Sequence, residues 1–287
     1  MKTLKFLFSI AAFAMMLTAC EKTSNVTLEA EDIDMADDDA VSEAVFDDIF
    51  NSVDNATQYL DSYKGAETKG DIVVLADSCP TVTVEFTDET VRVVTIDFGE
   101  GCQGLWDQTR SGRIIITVDG RRRVAGSTRT VTFDDYYFNG IKIEGTKFTG
   151  NMGKNDNGNF VFSSGLSDGR LIFPNDTVVS KEFEREREWI AGFDTRTPWD
   201  DECLITGSAS GTTWKGIKYE NTIISALHWK RACKFFVSGV VEIVRSGGEP
   251  VTLDYGDGEC DAVATLRRGD ELKEITLRYK HRKIMNQ

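Results

Sequence analysis

The residues with the clearest potential for chemistry are four acids in one short segment of the C-terminal part of the chain. They are Asp254, Asp257, Glu259 and Asp261. Carboxylate oxygens are the ligands that calcium prefers, so these side chains are candidates for a calcium site, although their spacing does not match the EF-hand loop. Acids separated by glycines also favour a tight turn, because glycine tolerates a positive φ and the acids hydrogen-bond to the backbone. We therefore expect a structural turn here, with no metal or other cofactor.

The motif that contains these acids occurs twice. It reads VTIDFGEGC from Val94 and VTLDYGDGEC from Val251, with one inserted residue in the second copy. Each copy is preceded by a cysteine and followed by a further strand pattern. The chain therefore contains an internal repeat, and we place its two units at 79–118 and 233–277.

The cysteines of the repeat have the spacing of two disulfide bonds. Cys79 and Cys102 belong to the first unit and Cys233 and Cys260 to the second, which suggests these two pairs and leaves Cys203 free. A bond between Cys203 and Cys233 is the main alternative, because sequence alone does not fix connectivity. Disulfide bonds persist in oxidising compartments outside the cytosol.

Patterns typical of catalysis are otherwise missing from the sequence. The chain has two histidines, His228 in a predicted strand and His281 in a basic tail. No zinc-ligand spacing, nucleophile elbow, P-loop or His-Glu-x-x-His motif is present. We therefore predict that the protein is not an enzyme. A glycan-active enzyme would need two carboxylates, or an acid and His228, facing each other across a pocket.

Aromatic residues and overall charge limit the choice of partners. Tryptophans can stack on sugars when they are exposed in a row on a sheet face, so a carbohydrate-binding module is the alternative function. The five tryptophans are Trp106, Trp189, Trp199, Trp214 and Trp229. The net charge of −14 gives the chain no electrostatic reason to bind nucleic acid.

The first twenty residues have the order of an export signal. A basic start at Met1–Lys5 is followed by an apolar run, Phe6–Leu17, and then by the tetrapeptide Leu17–Cys20. The apolar run is too short to span a bilayer, which takes about 20 residues. The tetrapeptide resembles the lipobox of bacterial lipoproteins, which implies that residues 1–19 are a signal peptide and that Cys20 is acylated. The acyl chains would then anchor the protein.

Three further regions follow in the mature chain. Residues 20–39 are polar and acidic, and we expect them to form a tether that does not fold by itself. Residues 40–70 comprise an amphipathic helix, which ends near residue 62, and a linker; the helix is expected to dock on the rest of the chain. Residues 71–287 alternate with period two between turn signals, which predicts an antiparallel β domain. The predicted fold is all-β: a meander forming a sandwich, an open barrel or a curved sheet.

One predicted strand is charged on both faces. The segment 181–189 reads KEFEREREW, which places four glutamates on one face of a strand and basic and aromatic side chains on the other. Such a strand is poorly buried on either side. We therefore expect a guarded edge strand or a projecting hairpin, where charge prevents pairing with another chain.

Several of these features together resemble the uncharacterised β-rich outer-membrane lipoproteins of Bacteroidota. They are the tetrapeptide Leu17–Cys20, the acidic tether, FNGIKIEGT from Phe138 and DYGDGECD from Asp254. The resemblance implies a lipoprotein of the cell envelope, on the periplasmic or the exterior side of the outer membrane, and it supplies no activity. We expect a binding or structural module whose partners are the membrane, through the lipid on Cys20, and an envelope protein or a glycan.

Overall fold

One long helix and one antiparallel sheet make up the described part of the protein. The computed structural model describes residues 27–62, 69–104, 108–195, 197–233 and 235–277. The helix α1 spans Ala30–Ser62. The expected signal peptide and Cys20 lie outside the described residues.

Within the described residues, the sheet contains fifteen strands. Their bounds are β1 Ile72–Asp77, β2 Thr81–Phe86, β3 Val91–Asp97, β4 Cys102–Gln103, β5 Thr109–Asp119, β6 Thr128–Phe138, β7 Ile141–Lys154, β8 Phe160–Ile172, β9 Val178–Ala191, β10 Glu202–Thr212, β11 Lys218–Lys230, β12 Ser238–Arg245, β13 Val251–Asp257, β14 Val263–Arg268 and β15 Glu271–Thr276. A short 3-10 turn, Pro198–Asp200, precedes β10.

The strands form an antiparallel meander in chain order. Each strand pairs with the next, except that β3 pairs directly with β5 and the short β4 pairs with β5 alone. Tight turns make this order possible; Asn139 and Gly140 have φ of 51° and 80°, as a type I′ hairpin turn requires. The end strands β1 and β15 do not pair with each other, so the sheet is open. The predicted all-β meander with one preceding helix is confirmed.

Helix α1 packs against both halves of the sheet, which therefore curves around it. The first half of α1, including Met35 and Ala40, shares a hydrophobic cluster with strands from β8 to β15. The second half, including Phe46 and Ile49, shares a second cluster with strands from β2 to β10. Full burial of a large apolar side chain contributes about 1.5–3 kcal/mol, so this inner face is a major source of stability. The prediction that the helix docks on the β body is confirmed.

The prediction of an acidic tether over residues 20–39 is wrong for its second half. Helix α1 begins at Ala30 instead of near residue 40. Asp32 Oδ2 accepts a hydrogen bond of 2.8 Å from the backbone N–H of Glu29, which caps the first turn. The acids of this turn are ordered because the sheet supplies cations: Arg245 and Arg268 lie 2.9 Å and 2.7 Å from Asp32 Oδ1. The sequence prediction considered only the burial of apolar side chains, whereas ion pairs with the sheet order this segment.

The prediction of an edge or projecting strand over 181–189 is also wrong. The segment forms most of β9, which lies between β8 and β10 within the sheet. Its inward-facing Lys181 and Arg185 are buried. They are stable there because acids of α1 lie opposite them, so charge on this face binds the helix.

The two disulfide bonds are the pairs that the repeat suggested. Cys79 bonds to Cys102 and Cys233 to Cys260, with Cα–Cα distances of 5.6 Å and 5.4 Å. Cys203 on β10 is a free, buried thiol, so the alternative bond to Cys233 is not formed. The bonds fix corresponding positions in the two repeat units, close to the two ends of the sheet.

Candidate functional site

The four candidate calcium ligands form a turn. They are exposed at the end of β13 and in the loop that follows. Asp254 Oδ1 accepts a hydrogen bond of 2.9 Å from Gly256 N, and Asp261 Oδ1 accepts one of 3.1 Å from Val263 N. Asp97 Oδ1 makes the same bond to Gly99 N, at 2.8 Å, in the first repeat unit. Within the described residues, no group of three His, Cys, Asp or Glu side chains could hold a metal ion.

The described tryptophans do not form a sugar-stacking row. Trp189 and Trp229 are buried and meet edge to face, with ring centroids 6.4 Å apart. Trp214 is half-buried beside the helix, and Trp199 is exposed. Trp106 lies outside the described residues. Of the four that are described, Trp199 alone offers an exposed ring, so a planar stacking platform is not built from them.

His228 does face an acid. Its Nε2 lies 2.7 Å from Glu202 Oε2 on the neighbouring strand, and both side chains are partly exposed. A hydrolytic site of this type would also need a nucleophile or a second acid at the histidine. Among the described residues, Glu202 is the one side chain that hydrogen-bonds to His228. His281 lies outside the described residues.

The interior of the protein contains a row of ion pairs between α1 and the sheet. Helix α1 carries acids along its whole length and no lysine or arginine. Cations on the inner face of the sheet, together with Lys215 in the turn between β10 and β11, lie opposite these acids. The pairs are Lys215–Asp34 at 2.6 Å, Lys181–Asp39 at 2.7 Å, Lys181–Glu43 at 2.8 Å, Arg185–Glu43, Arg187–Asp47 at 2.9 Å, Arg110–Asp48 at 2.5 Å and Arg129–Asp54 at 2.6 Å. The helix is thus bound to the sheet by charge as well as by apolar contact.

These surroundings change how the helix carboxyls titrate. Burial alone would raise the pKa of Glu43, but Arg185 and Lys181 hold that pKa well below its usual range. Asp38 lacks such a close cation. Burial raises its pKa to about 7, although the hydrogen bond of 3.0 Å from Trp214 N to Asp38 Oδ2 opposes the shift. The ion pairs therefore favour the charged form of Glu43, whereas burial favours the neutral form of Asp38.

The outer face of β9 presents a different arrangement, which we call the β9 trough. Its carboxylates are Glu182, Glu184 and Glu186, which are exposed on the face opposite the helix. Small side chains flank them on the neighbouring strands: Glu184 lies between Gly165 on β8 and Ser208 on β10. Glu186 lies between Ser163 and Thr206 in the same way.

The long glutamate side chains and the small side chains beside them leave a hollow along the strand. Three hollows of about 750, 490 and 460 Å³ follow one another over β8 to β12. The first two share Glu182, Ser210 and Glu220, and the last two share Gly165 and Glu184. The trough is therefore continuous. All three hollows are open to solvent.

Within the described residues, neither Glu184 nor Glu186 of the β9 trough faces a cation on a neighbouring strand, whereas Arg170 and Lys218 line the hollow at the Glu182 end. Glu188, the fourth glutamate of the strand, accepts hydrogen bonds of 2.7 Å and 2.8 Å from the amide groups of Asn155 and Asn159. Glu184 and Glu186 form no ion pair with any described residue. The sequence placed these glutamates on one face of a strand. It did not show the small neighbours, because these depend on the register of β8 and β10.

No family model matches this chain, and no curated protein and no solved structure matches it either. Within the described residues, no helix is both long enough and apolar enough to cross a membrane. Three features of the protein bear on its function: the order of the N-terminal residues, the charged interior and the β9 trough.

Proposed function

We propose that the chain is a lipid-anchored, non-catalytic protein of the bacterial outer membrane that acts as a binding or structural module. One observation carries this proposal: a signal-like start ends at Cys20, and Thr27, the seventh residue after it, contacts the β domain. Arg268 Nη1 donates a hydrogen bond of 3.1 Å to Thr27 O, and Leu28 N donates one of 2.6 Å to Glu271 Oε2. A lipid on Cys20 would thus be joined to the body by six residues.

The length of this connection has a consequence for the position of the body. The seven Cα–Cα steps from Cys20 to Thr27 extend over at most about 25 Å, at about 3.3–3.6 Å per residue. The end of the sheet that contains the β14–β15 turn would then lie close to the lipid headgroups. A short connection of this kind suits a module that works at the membrane surface, on either its periplasmic or its exterior side.

The disulfide bonds support an exported location. Two bonds close the two repeat units, at Cys79–Cys102 and Cys233–Cys260. Stable disulfides belong to oxidising compartments such as the periplasm and the cell surface. The bonds and the export signal are independent features of the sequence, and both favour the envelope.

The use of charge in the protein supports a non-catalytic role. The interior cations and acids are bound to one another between α1 and the sheet, so they hold the fold instead of facing a substrate. Glu184 and Glu186 of the β9 trough have serine, threonine and glycine as their cross-strand neighbours, which leaves these carboxylates accessible to a partner. The partners we propose are the membrane, through the lipid, and an envelope protein or a glycan; the acidic charge argues against nucleic acid.

Metabolic labelling tests the anchor. Cells that express the full-length protein are grown with tritiated palmitate, and the protein is recovered from the membrane and soluble fractions. We expect label and membrane association for the natural protein and for Cys203→Ala, which removes the buried thiol instead. We expect neither for Cys20→Ala. Label retained by Cys20→Ala would show that the proposed attachment is wrong.

A substrate panel tests the non-catalytic role. The purified protein is incubated with glycans and with ester substrates, and products are measured by mass spectrometry. We expect no turnover. Hydrolysis that is abolished by His228→Ala or Glu202→Gln would contradict the proposal and would identify this pair as catalytic.

A further inference from the structure

The β9 trough contains a glycine that the fold itself does not require. Gly165 lies on β8 opposite Glu184, where two of the hollows meet. Its φ is not in the left-handed range, and a Cβ built on it would meet nothing closer than Phe183 O at 3.6 Å, an ordinary contact. Gly207 on β10 differs, because a Cβ there would lie 2.3 Å from Glu184 O.

A glycine within a strand weakens the strand, because glycine loses more conformational entropy on folding than other residues and has no side chain to pack. Where no turn, bulge or close contact needs it, a glycine in a strand often marks a place where a ligand or another backbone approaches closely. Gly165 lowers the floor of the trough at its middle. This observation indicates an occupant independently of the surrounding acids.

The carboxylates indicate the charge of that occupant. On a sheet face exposed to solvent, acids commonly face basic side chains on the neighbouring strands. Here Glu184 faces Gly165 and Ser208, and Glu186 faces Ser163 and Thr206. The basic residues of β9 itself point to the other face and are neutralised by α1. The carboxylates of Glu184 and Glu186 are therefore available to an external cation, while Arg170 and Lys218 lie at the Glu182 end of the trough.

The spacing of the carboxylates indicates the shape of the occupant. Glu182, Glu184 and Glu186 are two residues apart on one strand, and a strand rises about 3.3 Å per residue, so their Cα atoms are about 6.6 Å apart. An extended polypeptide has the same distance between alternate side chains. A chain that lies along β9 would thus place every second side chain beside one carboxylate.

From the trough, Gly165 and this spacing, we propose that the β9 trough binds an extended basic segment of a partner polypeptide, with lysine or arginine at alternate positions. The basic side chains pair with Glu182, Glu184 and Glu186. The backbone of the segment lies over Gly165, with the hydroxyls of Ser208 and Ser163 within reach of its polar groups. This inference rests on the proposed binding role, and it does not depend on the lipid anchor.

Two fluorescein-labelled peptides of equal charge test the proposal against the full-length protein in detergent. The alternating peptide Lys-Ser-Lys-Ser-Lys fits the spacing, and the block peptide Lys-Lys-Lys-Ser-Ser does not. We expect the alternating peptide to bind several-fold more tightly by fluorescence anisotropy. The triple variant Glu182→Gln, Glu184→Gln, Glu186→Gln should weaken its binding about tenfold, as three exposed ion pairs imply.

The matched control removes the same charge elsewhere on the surface. The variant Glu85→Gln, Glu89→Gln, Glu274→Gln changes three other exposed acids, and it should bind the alternating peptide as the natural protein does. Gly165→Leu fills the trough and leaves every carboxylate in place, so it should also abolish the preference for the alternating peptide. Gly165→Ala, a smaller change, should reduce that preference, and circular dichroism verifies that each variant is folded.

Three results would overturn the proposal. Equal binding of the two peptides would show attraction by charge without the trough. An equal loss in the control triple variant would show an effect of net charge. Unchanged binding in a folded Gly165→Leu protein would show that the trough is not the site. The Cys20→Ala protein should bind the alternating peptide normally, so failure here is distinct from failure of the anchor.

Discussion

Lys181 Nζ lies 2.7 Å from Asp39 Oδ1, and the two side chains are 0% and 4% exposed. The ammonium also lies 2.8 Å from Glu43 Oε2, and Asn221 Nδ2 donates hydrogen bonds of 2.9 Å to both carboxylate oxygens of Asp39. Each of these charges has lost its hydration on folding. Because each is unstable in the interior without the others, the cluster fixes the position of α1 on β9.

Removal of the cation from this cluster should destabilise the protein strongly. Lys181→Ala leaves Asp39 and Glu43 close together without their shared ammonium. Breaking a buried ion pair in this way costs about 3–5 kcal/mol. We expect a loss of that order in the free energy of unfolding, measured by urea denaturation followed by circular dichroism.

The control for this prediction is a lysine on the outer face of the sheet. Lys142 forms ion pairs with Asp135 and Glu144 that remain in contact with water. Lys142→Ala should change the free energy of unfolding much less than Lys181→Ala, since water replaces the lost pairs. Equal losses in the two variants would contradict the assignment of the Lys181 cluster as a main attachment of the helix.

The disulfide pairing leads to a second prediction. Peptide mass spectrometry without reduction should find Cys79 linked to Cys102 and Cys233 linked to Cys260, with Cys203 alkylated only after unfolding, since burial raises the pKa of its thiol. The double variant Cys79→Ser, Cys102→Ser should lose about 3 kcal/mol of stability through the freer unfolded chain. A peptide that links Cys203 to Cys233 would contradict the structure.

The acidic turn leads to a third prediction, which separates a structural role from a metal site. Asp254→Ala removes the hydrogen bond to Gly256 N and should cost about 1 kcal/mol. Asp254→Asn keeps an oxygen acceptor and should cost less. Millimolar calcium should leave the thermal midpoint of the natural protein unchanged, and EDTA should do the same; a calcium-dependent rise that Asp254→Asn abolishes would show a metal site.

The sequence was sufficient for the features that depend on local pattern. Alternation with period two and the turn dipeptides predicted the antiparallel meander, and the repeat predicted both disulfide pairs. The similar turns at Asp97 and Asp254 follow from the same repeat, because each carboxylate bonds to the backbone two residues later.

The two errors share one physical cause. Asp39 was assigned to a tether and Lys181 to an exposed strand because each segment is too charged to be buried alone. The partners are 142 residues apart in the chain, so no local pattern shows that the charges cancel. The β9 trough was not predicted for a related reason. The neighbours of Glu184 depend on the pairing of three strands, which no local sequence pattern shows.

The fourth prediction concerns pH and rests on Asp38. This carboxyl hydrogen-bonds to Trp214 N and lies near Asp34, Asp39 and Lys215, and burial raises its pKa from 3.8 to about 7. Between these two values the folded protein holds a proton that the unfolded chain has lost. Stability therefore falls as the pH rises through this window, and the destabilisation is complete above pH 7.

Asp38→Asn removes the titrating group and keeps an oxygen that accepts the bond from Trp214 N. Relative to the natural protein, this variant should gain stability as the pH rises from about 4 to 7, measured by urea denaturation at each pH. Asp97→Asn is the control of opposite sign. The hydrogen bond from Gly99 N and the pairing with Arg113 lower the pKa of Asp97. The natural carboxylate therefore stabilises the fold at pH values above the pKa that Asp97 has in the unfolded chain, and this stabilisation is lost as the pH falls. A constant difference between Asp38→Asn and the natural protein from pH 4 to pH 8 would show that Asp38 is ionised throughout this range in the folded state.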